Sequence, residues 1–410
     1  MEPKIRLKGF SEEWKSDAIG NIATFSKGRG YSKSDLSPEG NPIILYGRLY
    51  TNYTSIIDSV DTYAPLKNDS VLSKGNEVII PGSGETAEDI AVASSVQQKG
   101  VILGGDLNIV TFDSDKIVPA FAAMSITNSK THYELSGYAQ GKTIVHIHNE
   151  SISKGHLSYP SKNEQVAIVS YISSLDSLIQ STAKKIESLK QVKAASLQSM
   201  FPQEGETTPR VRFKGFEGEW IKIKFAAFAE INRGLTYTPN NIVENGVRVL
   251  RSSNIDEDVF TISNEDVFVT PNCVNICYAK DGDILVTAAN GSPRLVGKHA
   301  IIRNTGSIPV VAGGFMYLVT SQESEFLNAS MSSNWYWSFI KIGVAGGNGS
   351  IGNLNRNDLE ETVFPIPSLK EERDMIASYF TSLDSQITLQ TQHLEKLKQI
   401  KSACLENMFV

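Results

Sequence analysis

The chain has little cysteine, no long apolar run and no excess of positive charge, and each shortage excludes something. Cys273, Cys277 and Cys404 are the three cysteines in 410 residues, too few and too scattered for a disulfide framework. The lone C-x-x-x-C pair lacks the second ligand pair a structural zinc needs, so reduced, packed cysteines and no metal are expected. No apolar stretch reaches the roughly 18 residues a membrane helix requires. The opening MEPKIRLKGFSEEW holds no signal-peptide core, which leads us to expect a cytoplasmic protein. The net charge of −6 argues against indiscriminate nucleic-acid binding, whose footprint is basic. Three stretches nevertheless carry basic residues and no acid: 18–34, 135–149 and 284–322.

Enzymatic motifs are also missing. Gly137-Tyr138-Ala139-Gln140-Gly141-Lys142-Thr143 is one residue short of a phosphate-binding loop. Pro81-Gly82-Ser83-Gly84-Glu85 lacks the G-x-S-x-G order of a nucleophile elbow. Asn41-Pro42 is followed by Ile43-Ile44 rather than the Pro-Tyr of a methyltransferase tetrad, and His146-x-His148 lacks further metal ligands. We assign no catalytic residue.

What is present is a duplication, the first thing to seek because it decides the fold. Pro3–Trp14, PKIRLKGFSEEW, returns without a gap as Pro209–Trp220, PRVRFKGFEGEW, and the same register carries Lys27-Gly28 onto Arg233-Gly234. Glu164–Phe201 returns as Glu372–Phe409 with about half its positions identical. Each copy is a globular part followed by a long helix, with punctuation at Pro160-Ser161, Pro367-Ser368 and Pro202–Gly205. The boundaries expected are 1–160, 161–202, 203–367 and 368–410.

Neither helical segment contains proline or glycine. Ile168, Leu175, Thr182, Leu189 and Ser196 form one heptad row beside Ile172, Ile179, Ile186, Lys193 and Met200. The second copy sets Ile376, Leu383, Gln390, Leu397 and Cys404 beside Phe380, Ile387, Leu394, Lys401 and Met408. These rows predict coiled-coil seams on helices about 57 Å long at 1.5 Å per residue. An approximate two-fold axis between the copies makes the pairing antiparallel, with a globular part at each end and a polar layer at Thr182 and Gln390 near the middle.

The globular parts read as α+β, with strands expected at Glu77–Ile80, Asn108–Thr111, Asp283–Val286 and Ala300–Ile302, and short helices at Pro119–Asn128 and Glu325–Lys341. Their loops interleave basic, aromatic and amide residues with glycine, the mixture that reads base edges and phosphates. In the first copy the candidates are Lys27, Arg29, Tyr31 and Lys33, then Tyr46, Arg48 and Tyr50. Ser83, Glu85 and Thr86 follow, with Lys142, Thr143 and His146. In the second copy they are Arg233, Thr236 and Tyr237, then Arg248, Arg251, Ser252 and Asn254. Asn290, Ser292, Arg294, Lys298 and Asn348 complete the set.

Over essentially its whole length the chain resembles the specificity subunit of type I restriction-modification systems. The likeness rests on GNPIILYGRLYTNY (Gly40–Tyr53), PGSGETAED (Pro81–Asp89), VLRSSNI (Val249–Ile255), GDILVTAANGS (Gly282–Ser292) and Glu164-Gln165 opening the first helix. The resemblance implies two target-recognition domains, each reading one half of an asymmetric bipartite DNA target, arranged with circular pseudo-two-fold symmetry. It implies helices that set the spacer and dock two methyltransferase subunits, to which restriction and motor subunits add. It also implies a non-catalytic chain, with S-adenosylmethionine, ATP and Mg bound by its partners, in a complex that cleaves DNA and methylates adenine. Glu372-Arg373 departs from the usual Glu-Gln. The competing reading is a two-headed coiled-coil tether for other proteins.

Overall fold

The structure is a computed structural model and describes residues 2–344 and 352–410. The chain divides into two compact units, one of Met1–Ser181 with Leu394–Val410 and one of Thr182–His393.

In the first unit, strand Leu107–Phe112 lies between Ala23–Lys27 and Glu77–Pro81, all antiparallel, and Ser94–Val96 and Ile56–Ile57 extend the sheet. The central strands are buried on both faces: Val78, Ile80 and Val110 pack with Phe121 and Met124 of helix Pro119–Asn128, and Ile79 and Ile109 pack with Ile44 and Leu103 of a small sheet formed by Tyr63–Ala64, Asn41–Ile44 and Ile102–Leu103. Pro119 starts that helix, where a missing N–H costs nothing. Helix Lys130–Gly137 follows, with the Ser129 hydroxyl accepting from the Thr131 N–H.

The second unit repeats the plan. Met316–Thr320 lies between Glu230–Arg233 and Ile284–Thr287, with His299–Ile301 at the edge, and a second sheet orders Ile242–Val243, Val267–Val269, Val247–Leu250 and Val310–Ala312. The single helix expected over Glu325–Lys341 is two, Ser324–Met331 and Asn334–Val344. The break falls at Ser332-Ser333, where the Ser333 hydroxyl donates to the Ser330 carbonyl and competes with the helical ladder.

The long helices run Lys162–Met200 and Lys370–Asn407. In the first unit, the start of one and the end of the other run in opposite directions: Asp176 pairs with Lys401 and Tyr171 contacts Cys404. In the second unit Lys193 pairs with Asp384, and the Ser196 and Tyr379 hydroxyls share a hydrogen bond of 2.9 Å. Of the expected seam positions, Ile168, Ile172, Leu175, Ile376, Phe380, Leu383 and Leu397 are buried, and Ile179, Ile186, Leu189, Ile387 and Leu394 are half-buried. Thr182 is buried and Gln390 half-buried.

The repeated opening motif folds against the helices in the same way in both units. The Ile5 N–H donates to the Asn407 carbonyl and the Val211 N–H to the Ser199 carbonyl, each satisfying an orphan carbonyl of a final helical turn. Phe409, beyond the second helix, packs on Phe121, which meets Trp14 edge-on. Phe201, beyond the first helix, packs on Trp220, Phe326 and Phe380. Arg6 forks onto Glu164 with two bonds of 2.8 Å, and Arg212 onto Glu372 with bonds of 2.7 and 2.8 Å. Both carboxylates are fully buried.

The departure at Arg373 has a local partner. In the first unit Gln165 accepts from the Val118 N–H and donates to the carbonyls of Lys116 and Pro160. In the second unit Arg373 donates to the Pro367 carbonyl but turns its fork onto Glu323, at 2.7 and 3.0 Å.

Candidate nucleic-acid interface

The candidate loops begin where a strand passes a neighbouring backbone too closely for any side chain. A Cβ on Gly28 would lie 1.9 Å from the Gly104 carbonyl oxygen, and one on Gly234 would lie 1.8 Å from that of Gly313. The bonds around them match: Gly28 and Arg29 donate to Leu107 and Leu103, Gly234 and Leu235 to Met316 and Ala312. Each loop then closes on a capped turn, Ser32 with Asp35 in the first unit and Thr238 with Asn241 in the second.

Lys27, Arg29 and Lys33 project from this frame into solvent, as do Arg233 and Thr236. Tyr31 does not. It is buried, its hydroxyl donating to the Pro65 carbonyl and sharing a hydrogen bond of 2.6 Å with Ser70, so it anchors the loop instead of reaching out. Lys67 lies 4.4 Å above its ring and bridges the Gly30 carbonyl and Asp35. Tyr237 is half-buried.

In the first unit a cleft of about 1100 Å³ gathers Tyr31, Lys33, Tyr46, Arg48, Tyr50, Ser83 and Glu85. Tyr46 and Glu85 are exposed along it. Arg48 pairs with the exposed Asp61 at 3.1 Å. The Tyr50 hydroxyl donates to the Ser83 carbonyl, and burial pushes its pKa well above that of an ordinary tyrosine. Ser83 is buried, with its hydroxyl donating to Asp106 at 2.6 Å and lying 2.9 Å from His146 Nδ1. A nucleophilic serine needs the base between itself and the carboxylate. Here the serine stands between them, so Ser83 braces the cleft floor. Thr86 caps the turn Ala87–Ile90, accepting from the Asp89 N–H. Lys142 and Thr143 are exposed but lie outside the cleft lining.

Two second-unit candidates are structural. Arg248 is buried in its strand, 3.2 Å from Asp266 and over the Phe268 ring. Asn254 is also buried, accepting from the Arg251 N–H and donating to Asp266 and the Thr261 carbonyl. Every polar atom of that carboxamide is thus bonded inside the unit. Arg251 is half-buried, and Ser252 accepts from Asn290, which in turn accepts from the Ser292 N–H. Arg294 and Ser292 are exposed, and Lys298 is half-buried. Asn348 lies outside the described residues.

Reading the sequence alone misses Asp61, Lys67, Asp106 and Asp266, the charges that brace these loops. They stand far along the chain from the residues they hold, and no local spacing marks them. Among the described residues no group of three or more His, Cys, Asp or Glu is placed to hold a metal, and no helix is long and apolar enough to cross a membrane.

The profile of the type I restriction modification DNA specificity domain matches residues 11–191 and again residues 217–399. The type I restriction enzyme MjaVIII specificity subunit of Methanocaldococcus jannaschii is 21% identical over 406 residues, covering 95% of this chain and 90% of that protein. The StySPI specificity subunit of Salmonella potsdam is 21% identical over 422 residues, covering 95% and 87%. The S subunit of a type I restriction-modification system from M. genitalium shares the fold, with a TM-score of 0.64 at 16% identity over 100% of this chain and 99% of that chain. A chain from a structure concerned with assembly and conformational transition of the type I system scores 0.53 at 14% identity over 97% of each. With one domain profile matched twice across most of its length, the chain belongs to the type I restriction-modification DNA specificity family.

Proposed function

We propose that this chain is the DNA specificity subunit of a type I restriction-modification complex, each unit reading one half of an asymmetric bipartite duplex target. One observation carries this reading. The two units share a loop frame, Gly28 with Ser32–Asp35 and Gly234 with Thr238–Asn241, while the side chains exposed on it differ: Lys27, Arg29 and Lys33 in one, Arg233 and Thr236 in the other. Identical readers would prefer a palindrome, and different ones prefer an asymmetric site.

In this proposal the chain itself is non-catalytic. The long helices pair as an antiparallel coiled coil with circular pseudo-two-fold symmetry, set the spacer between half-sites and dock two methyltransferase subunits. Restriction and motor subunits join that core. S-adenosylmethionine, ATP and Mg belong to the partners, and the assembly works in the cytoplasm, methylating adenine and cleaving unmodified DNA.

Methylation mapping of genomic DNA from cells carrying and lacking this chain tests the reading. A single bipartite, asymmetric methylated motif that depends on the chain is expected. Unchanged methylation overturns it, as does robust methylation by the purified chain alone.

A further inference from the structure

Among the described residues, the second unit ties the segment Arg251–Asn254, the candidate reading segment, to its helix by ion pairs that have no counterpart in the first. Immediately after Arg251–Asn254 the chain forms a small hairpin, Ile255–Asp256 against Val259–Phe260. The hairpin is fixed at its base: Asn254 donates to the Thr261 carbonyl, the Thr261 N–H donates back to the Asn254 carbonyl, and Ile255 and Phe260 pack with Leu250 and Met316. Its tip reaches the helix Lys162–Met200. Glu257 Oε2 lies 2.5 Å from Lys190 Nζ, and Asp258 Oδ2 lies 3.4 Å from Lys193 Nζ, which also holds Asp384 at 2.8 Å.

Two further observations mark the tip as more than a chance surface contact. Glu257 has φ +46°, a left-handed conformation that favours glycine or asparagine, yet the position carries a glutamate whose carboxylate is spent on Lys190. Beneath the hairpin a cleft of about 490 Å³, lined among others by Lys193, Asp258, Phe260, Arg303 and Asp384, leaves room for it to shift once released. In the first unit the repeat-equivalent of Lys190, Lys398, pairs with Glu395 on its own helix, and Lys401 keeps the helix-to-helix pair with Asp176 but, among the described residues, takes no second carboxylate from the globular part. The strand Ile56–Ile57 joins the main sheet there, and among the described residues no ion pair ties a reading loop of that unit to Leu394–Val410.

We propose that Lys190 and Lys193, gripping Glu257 and Asp258, are positioning residues that set the angle at which the second domain presents its reading segment to DNA, and so sharpen discrimination between spacer lengths. The inference rests on the specificity-subunit reading. A hairpin clamped at both ends acts as a lever: releasing the tip lets the segment rock without altering the side chains that meet the bases.

The test uses the chain assembled with its methyltransferase partner and DNA whose spacer is the mapped length, one base pair shorter or one longer. In Lys190→Ala/Glu257→Ala, preference for the mapped spacer should fall by about two- to fivefold, the range for one exposed ion pair, while preference among half-site sequences stays unchanged. The charge-exchanged variant Lys190→Glu/Glu257→Lys should restore spacer preference. Unchanged spacer preference in the double alanine variant overturns the inference, and so does altered half-site preference with unchanged spacing. Thermal unfolding run alongside identifies any variant that fails to fold, in which case Glu257→Gln alone provides the same comparison. Absence of site-specific methylation by the parent complex would instead strike the specificity-subunit reading itself.

Discussion

Lys193 holds Asp384 at 2.8 Å, and the duplication writes the same pair again in the other unit as Lys401 and Asp176. The two are not equal in energy. The Lys193 side chain is 13% exposed and serves two carboxylates, whereas that of Lys401 is 28% exposed and serves one. Burial pushes the Asp384 carboxyl up and Lys193 opposes it; burial also works against the Lys193 charge, but Asp384 and Asp258 hold its pKa above 10.5. The Lys193 contribution is therefore complete below pH 10.5 and is lost as pH rises through the higher folded value. Lys193→Met should destabilise by about 1–3 kcal/mol, the cost of a desolvated group left unpaired. Lys401→Met should cost no more than about 1 kcal/mol. Urea unfolding of the full chain compares the two, and equal losses would refute the ranking.

Arg6 and Arg212 each cover a carboxylate that solvent cannot reach. Replacing either with alanine leaves Glu164 or Glu372 as an uncompensated buried charge, for an expected loss of about 3–5 kcal/mol. The paired change Arg6→Met/Glu164→Met should recover most of that loss, because it removes both desolvated charges together. A double variant as unstable as Arg6→Ala would contradict the account.

Exposed and braced candidates should separate in binding assays. Arg29→Ala and Arg294→Ala should weaken target binding in the assembled complex by about 1–3 kcal/mol where the arginine meets a base. Where it meets a phosphate, the salt dependence of binding should fall by about one charge instead. Asn254→Ala should act through stability, at about 1–3 kcal/mol, because it removes the bonds holding Asp266 and Thr261. Melting temperature measured beside affinity distinguishes them.

Glu257 supplies a pH signature for the hairpin. Its bond to Lys190 draws the carboxyl below 4.5, so the stabilisation is present above pH 4.5 and lost as pH falls through the lower folded value. In Lys190→Ala the carboxyl should titrate at a higher pH, as followed by carboxyl carbon NMR. An unmoved titration would mean that the ion pair does not form in solution.

Matched heptad insertions after Thr182 and Gln390 should lengthen the recognised spacer and leave both half-sites unchanged. Seven residues add about 10 Å to a helix, equivalent to about three base pairs. The phase change of roughly 100° is to be absorbed by DNA bending or twist. Methylation mapping reads the outcome, and retention of the original spacer by an assembled complex would show that the helices are no ruler.

The repeat, the long helices and the mixed globular parts were legible because each depends on local pattern: heptad rows, glycine turns and apolar strand runs. Ser332-Ser333 escaped because neither residue breaks a helix by propensity alone; their hydroxyl bonds decide it. The loops carrying Arg29 and Arg294 were legible as basic and glycine-rich. Arg248 and Asn254 were misread because their partner, Asp266, stands beyond the hairpin and becomes a neighbour only on folding. Tyr31 was misread for the same reason, since Pro65 and Ser70 are what enclose its hydroxyl.

The contrast between Gln165 and Arg373 limits how the two halves can be exchanged. Gln165 offers the Val118 N–H an acceptor, whereas Arg373 has only donors and relies on Glu323. A chimera cut at Pro367, with the first half's globular part grafted onto the second helix, would aim a guanidinium at a backbone donor and leave it without its carboxylate. Cut one step beyond Arg373, the graft carries its own matched residue, so the portable module extends past the proline and into the helix's first turn.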